Sequence, residues 1–469
     1  MTTPQSTQSG TSGHRELLAL AAPIAATQLA QVALTTTDTV MLGLLGAEAL
    51  AAGGLAIVLF NQIRTMGVGM VTAVGNQVAA ATARGERAAA ARGARPDGTD
   101  GEVRDLLHAA FLLATLAGLA GAALLVGAGY VLPWLGQDPT VSSAARAMLI
   151  ALAPGLLPCL WFQVVRQYTV GMRRPKALVL ITGSSVAVNV GLNWALVHGV
   201  AGLPRLGIAG IGAATSAVYL LTFLTLYAMT RRDPLLAGGL SVRAWRAQPA
   251  TVRRLAGLGT PIAATYGSEA GFFSVVALIM GSLGSAALAA HTAVNQLVYI
   301  VFQVTVGLSH AASILVSREV AGHRPAAAVG IARTALIQGA LTMTVVGAVY
   351  LVVPSLVLAP FFDPATPTSE NGLAIAGTLL LIAAGLQFAD TAQNIGVGLL
   401  RGLDDTRSGF RLTVIGYWAV GLPLVWVLAR PLGLGAAGAW LGLACGLAVT
   451  AGLLLRRFHR VLATLHPTA

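Results

Sequence analysis

Asp38, Glu269 and Asp390 each lie inside a long run of apolar residues. A charge at the centre of a bilayer costs about 2.5–3.5 kcal/mol on insertion scales, so three such acids are expected to be kept for what they do. Burial penalises the charged form of a carboxylate, and uptake of a proton or a small cation relieves that penalty. The chemistry these residues suit is therefore reversible cation or proton binding in a water-filled cavity. The alternative is structural, with the acids paired to Arg64 or Arg166, which also fall inside apolar spans. Asn189 and Asn193 stand one helical turn apart and share a face. With Asp38 and the Thr215 hydroxyl they offer an all-oxygen set for a proton or a small hard cation, or else hydrogen bonds between helices. His291 and His310 are either packed histidines or proton relays. Tyr266, Phe273 and Tyr299, with Phe272, Phe302 and Phe388 beside them, could line a cavity for organic cations, although aromatics in such spans commonly just pack. Gln31 and Gln163 are further polar candidates for a substrate cleft.

The elements that must position these groups follow from composition. The chain has 469 residues, is 56% hydrophobic with a mean hydropathy of +0.76, and is only 10% charged. That places it among polytopic helical membrane proteins. Uncharged runs such as 109–137, 207–230 and 433–455 are each long enough to cross a bilayer as a helix. Twelve spans are expected, near 17–44, 54–82, 106–132, 147–171, 177–198, 207–229, 255–282, 291–317, 329–353, 374–399, 411–429 and 433–455. The 55 glycines suit helices that pack closely in lipid. Cys159 and Cys445 have no metal-ligand spacing around them and are expected to be small core residues. The first fourteen residues lack a basic n-region, so no cleaved signal peptide is expected.

The spans fall into two copies of one plan. Ala22–Thr27 matches Thr260–Thr265, and Gly46–Ala52 matches Gly284–Ala290, both at an offset of 238. That offset sets Gln31 opposite Glu269 and Asp38 opposite Val276. Aligning Val170-Gly171 with Val397-Gly398 sets Gln163 opposite Asp390. Six spans per copy is an even number, so both copies enter from the same side. The fold expected is all-α, with twelve transmembrane helices in two parallel six-helix repeats around a central cleft. The division expected is a tail over 1–16, a first lobe over 17–230, a basic linker over 231–254, a second lobe over 255–456 and a tail over 457–469. The net charge of +12 is unevenly spread: 24 of the 29 Lys and Arg fall on one alternating set of segments, against Arg146, Arg205 and Arg430 on the other. This is the positive-inside pattern, with both termini and the linker cytoplasmic. The basic excess then reports orientation and contact with anionic lipid, not nucleic acid. No His-Glu-x-x-His motif and no phosphate-binding loop is present, and Lys176 is the single lysine, so an enzyme or an autonomous ATP-driven pump is not expected.

Pro23, Asp38, Glu269, Ala289-Ala290-His291, Asp390 and the run Gly398-Leu399-Leu400-Arg401-Gly402-Leu403-Asp404-Asp405-Thr406-Arg407 resemble the multidrug and toxic compound extrusion (MATE) family, most closely its NorM-like branch. The resemblance covers about residues 15–456. It implies a multidrug efflux antiporter of the plasma (inner) membrane, active as a monomer and without a cofactor. Such a protein exports organic, mostly cationic compounds in exchange for Na⁺ or H⁺ and contributes to antibiotic resistance. By the same resemblance, Glu269 and Asp390 match the family's C-lobe cation site, and Asp38, Asn189, Asn193 and Thr215 its N-lobe site. One departure is visible: members of this branch often carry Tyr one turn before the span-ten Asp, where this chain has Leu386, which removes a ligand. The alternative within transport is a lipid-linked precursor flippase of the same superfamily.

Overall fold

The computed structural model describes residues 8–93, 99–135, 138–200, 202, 204–362 and 367–465; Arg95 and both chain ends lie outside them. Among the described residues there is no strand, and twelve helices are long and apolar enough to cross a membrane. In chain order these are α1 (His14–Leu44), α2 (Ala47–Ala91), α3 (Gly101–Trp134), α4 (Pro139–Gly171), α5 (Ala177–His198) and α6 (Ile208–Arg232). The second six are α7 (Pro249–Ser282), α8 (Ser285–Ala321), α9 (Pro325–Val352), α10 (Asn371–Gly402), α11 (Thr406–Ala429) and α12 (Gly435–Leu465). Local signals start and bend them. Gly46 and Gly284, repeat equivalents, cap α2 and α8 with φ of 113° and 125°, a backbone only glycine adopts cheaply. Asp138 caps α4 by accepting from the Thr140 amide at 2.8 Å, with Pro139 in the first turn. Pro154 sits in a 3₁₀ turn, Ala153–Gly155, that interrupts α4. A π-helical segment, Ile415–Gly421, interrupts α11.

The chain forms two compact units. One comprises Ala26–Ala264, the other Met1–Ala25 with Thr265–Ala469. Both dividing points fall within helices, just past Pro23 in α1 and Pro261 in α7, at equivalent places in the repeat. In the first unit α2 packs on α3 and α4, and α6 on α4 and α5. Its core gathers Met41, Leu42, Phe60, Met148, Leu152 and Cys159. In the second unit α10 packs on α8, α9 and α12, and α11 on α12, over a core that includes Phe272, Leu386, Tyr417 and Trp440.

The duplication is visible atom by atom. A Cβ built at Gly69 would lie 2.7 Å from the Ala263 Cα, and one at Gly307 would lie 2.7 Å from the Ala25 Cβ. Both positions of each pair are related by 238, so each unit repeats one close glycine crossing. The same contacts correct one register. A Cβ at Gly171 would lie 2.7 Å from the Gly75 carbonyl oxygen, and one at Gly402 would lie 2.7 Å from the Ser313 oxygen. Gly75 and Ser313 are repeat equivalents, so Gly171 corresponds to Gly402 and not to Gly398. Arg173 and Asp404, the next left-handed residues, both with φ 60°, agree with this pairing. Asp390 therefore stands opposite Cys159 rather than Gln163. The expected alignment was one helical turn out because Gly398 and Gly402 lie on the same face, a distinction that short sequence matches do not carry.

Candidate functional site

In the first unit, α1 delivers Asp38, α5 delivers Asn189 and Asn193, and α6 delivers Thr215. The four side chains meet. Asp38 Oδ1 accepts from Asn193 Nδ2 at 2.8 Å, and Oδ2 accepts from the Thr215 hydroxyl at 2.8 Å. Asn193 Nδ2 also donates to Asn189 Oδ1 at 3.1 Å, and Asn189 Nδ2 reaches the Thr215 oxygen at 3.4 Å. Asn189 and Asn193 are fully buried, and Asp38 and Thr215 are 5% exposed. The Asn193 Oδ1 has no hydrogen-bond partner, which leaves a buried oxygen beside the carboxylate.

Glu269, on α7, is half-buried, and Asp390, on α10, is buried. The two lie close enough for the Asp390 charge to act on Glu269. Neither these two acids nor Asp38 is in an ion pair among the described residues. Arg64 instead donates to Gln31 Oε1 at 2.8 Å, and Arg166 to Gln163 Oε1 at 2.9 Å. Leu386, one turn before Asp390, is buried in the core. Tyr417 was not singled out in the sequence. It is fully buried on the π-helical stretch of α11, with its ring stacked on Phe272 at 4.9 Å. Glu269 interacts with its hydroxyl directly and Asp390 through its charge, yet neither is in hydrogen-bonding geometry with it.

The remaining candidates divide between the units. Gln31 lines a cavity of about 10 Å³ in the first unit with Phe162, Thr182, Ser185 and Tyr219, room for about one water. Gln163 is buried nearby in the chain on α4. In the second unit Tyr266 and Phe273 are half-buried, and Phe273 meets Phe272 edge-on at 5.8 Å. Tyr299 is exposed and stacks on Phe302 at 6.5 Å. His291 is buried and accepts at Nδ1 from the Trp440 indole at 3.2 Å, a packing role. Cys159 is buried as expected, whereas Cys445 is exposed. Asp405 caps α11 by accepting from the Ser408 amide at 3.4 Å, and its other oxygen holds Arg457 at 2.8 Å. Outside the spans, the Leu235 amide and then Arg174 hold the Asp233 carboxyl below its usual range. No cluster of three His, Cys, Asp or Glu suited to a resident metal occurs among the described residues.

The MatE family model matches residues 23–195 and 261–427, one match per repeat. A protein described as a probable multidrug resistance protein NorM from Pseudomonas aeruginosa is 38% identical over 456 residues, covering 97% of this chain and 91% of its own. One of the same description from Bradyrhizobium diazoefficiens is 36% identical, covering 95% and 92%. Among solved structures, the Vibrio cholerae MATE transporter VcmN in its bent form has a TM-score of 0.84 at 15% identity, with 98% of this chain and 99% of that one covered. The eukaryotic MATE transporter AtDTX14 has a TM-score of 0.78 at 19% identity, covering 97% and 99%. Those structures share the fold, and the two matched halves with relatives alike nearly end to end settle the membership: this multi-pass membrane protein belongs to the MatE family.

Proposed function

We propose that this chain is a multidrug efflux antiporter that exports organic, mostly cationic compounds in exchange for Na⁺ or H⁺. The observation that carries the reading is that each compact unit holds a buried acid, Asp38 in one and Asp390 in the other, and that neither is in an ion pair among the described residues. The relatives' description as multidrug resistance proteins supports the substrate class. An antiporter works only when ion and substrate favour different conformations, because a ligand of equal affinity for both shifts nothing. A carboxylate supplies that difference. Empty, it must be hydrated or neutralised; with a proton or cation bound, it tolerates a dry surrounding. Asp38 with Asn189, Asn193 and Thr215 forms one coupling site, and Glu269 with Asp390 the other. Gln31, Gln163, Tyr266, Phe273 and Tyr299 are the proposed contacts for the exported compound. Acidic sites suit cationic cargo, and this favours drug export over flipping of anionic lipid-linked precursors. The protein is proposed to act as a monomer in the inner membrane, with both termini and the 231–254 linker cytoplasmic, and with lobes over 17–230 and 255–456. It needs no cofactor and performs no covalent chemistry.

The test is release of a fluorescent organic cation from proteoliposomes under an imposed Na⁺ gradient, an imposed pH gradient, or neither. Release that requires one of the gradients supports antiport. Release at the same rate with no gradient, or none under any condition, removes the reading.

A further inference from the structure

Leu386 offers the Glu269–Asp390 pair no hydroxyl, whereas Tyr417 on α11 brings a phenolic oxygen near both acids. We propose that Tyr417 supplies the neutral third oxygen of the Glu269–Asp390 site, and that this hydroxyl determines whether the site takes Na⁺ in addition to a proton. The inference rests on the antiport reading above.

Three observations carry it. First, Tyr417 lies within the seven-residue π-helical stretch Ile415–Gly421, and a π-turn inserts one residue into a helix and re-aims the side chains around it. Such stretches are rare and concentrate at functional sites. Second, the ring is anchored on the helix that carries Glu269. It stacks on Phe272 with an interplanar angle of 24°, and Phe272, three residues beyond Glu269, shares its face of α7. The next residue, Trp418, donates its indole N–H to Ser268, the neighbour of Glu269, at 2.9 Å. Third, the hydroxyl is buried, close enough to Glu269 to interact with it directly and to Asp390 to feel its charge, and in good hydrogen-bonding geometry with neither. A buried hydroxyl left without a well-aligned partner is disfavoured, and the charged groups that act on this one are Glu269 and Asp390.

The chemistry fits a small hard cation. Na⁺ takes oxygen ligands, and two carboxylates with one phenolic oxygen form an all-oxygen set with charge enough to strip part of its hydration shell. A proton needs only one carboxylate oxygen. The hydroxyl therefore bears more on metal-cation binding than on protonation.

The experiment uses full-length Tyr417→Phe in proteoliposomes, with the wild type and Asp390→Asn beside it. Phenylalanine keeps the ring on Phe272 and removes only the oxygen. The expected result is a fall of at least tenfold in the ratio of Na⁺-driven to proton-driven efflux. In parallel, purified wild type should gain thermal stability with added Na⁺, and Tyr417→Phe should require at least tenfold more Na⁺ for half the gain. A variant that merely disturbs packing lowers both efflux modes in proportion and leaves the ratio unchanged, which overturns the proposal. Wild-type efflux driven by the pH gradient with no response to Na⁺ also overturns it while leaving antiport intact. Absence of wild-type efflux under either gradient removes the antiport reading instead. If Tyr417→Phe inserts too poorly for transport, the Na⁺ dependence of its melting decides alone: an unchanged half-point overturns the assignment.

Discussion

Asp38→Asn is the substitution that separates coupling from architecture most cleanly. The carboxylate accepts two hydrogen bonds, at 2.8 Å each from Asn193 and Thr215. An asparagine in the same rotamer keeps one acceptor oxygen for Asn193. Its new NH₂ faces the Thr215 oxygen, which can accept from it, while the Thr215 O–H gives up its carboxylate acceptor and must turn elsewhere. Two hydrogen bonds to a charged group become neutral ones, a loss of about 1 kcal/mol each, and removal of a buried charge offsets part of that. The net change in stability is expected to stay within about 1 kcal/mol. Asp38→Ala behaves differently. It leaves the Thr215 hydroxyl and one Asn193 N–H without an acceptor, at about 1–3 kcal/mol each, softened because Asn193 still reaches Asn189. A cost of about 2–4 kcal/mol follows. Gradient-driven efflux per inserted molecule, measured in vesicles with transporter quantified by gel, should fall at least tenfold in both variants. Thermal unfolding should distinguish them. Wild-type efflux per molecule in Asp38→Asn refutes the coupling role, and destabilisation equal to that of Asp38→Ala shows that the charge holds the fold.

Glu269→Gln and Asp390→Asn should each insert normally and lose at least tenfold in gradient-driven efflux; normal rates per molecule in both would exclude the second site from coupling. For topology, Trp245→Cys is the suitable probe, since Trp245 is 79% exposed in the linker, whereas Ser241 is engaged with His108 at 2.8 Å. An impermeant thiol reagent should fail to label it on intact cells of a Cys159→Ala/Cys445→Ala background, and ready labelling would invert the orientation. Gly69→Ala and Gly307→Ala should each lower stability by about 1–3 kcal/mol through overpacking, seen as a lower melting temperature; an unchanged melt at either would contradict the duplicated crossing.

Much of this was legible in the residues. Twelve spans follow from length and hydropathy alone, because a bilayer admits no shorter solution. Helix ends are less legible: α2 runs to Ala91, past Arg84 and Arg87, since a helix leaving the bilayer turns polar without ceasing to be a helix. The Asp38 set was readable because i, i+4 spacing fixes two of its four members on one face. Tyr417 was not. In the sequence Tyr417 and its neighbour Trp418 are two apolar-run aromatics among many, and the π-helical turn that carries both is a feature of the fold. No sequence pattern announces that turn.

The corrected register shows how the two copies diverged. Glu269 stands opposite Gln31, and Asp390 opposite Cys159. In the first unit that equivalent place is occupied by a cation: Arg64 donates to Gln31 at 2.8 Å and also acts on Cys159. Where one copy gathers two acids, the other gathers an arginine, an amide and a thiol. Its own acid, Asp38, sits further along α1, opposite Val276 in the core of the second unit. As they stand, the two copies hold acids at different positions and in different company. The asparagine-lined site has a single carboxylate, and its nearest partners are neutral donors. The acid pair has two carboxylates, with the Tyr417 oxygen as its proposed third ligand. Under the proposed antiport, sites so different are expected to differ in their affinities for Na⁺ and for a proton, because one offers a single carboxylate and the other two.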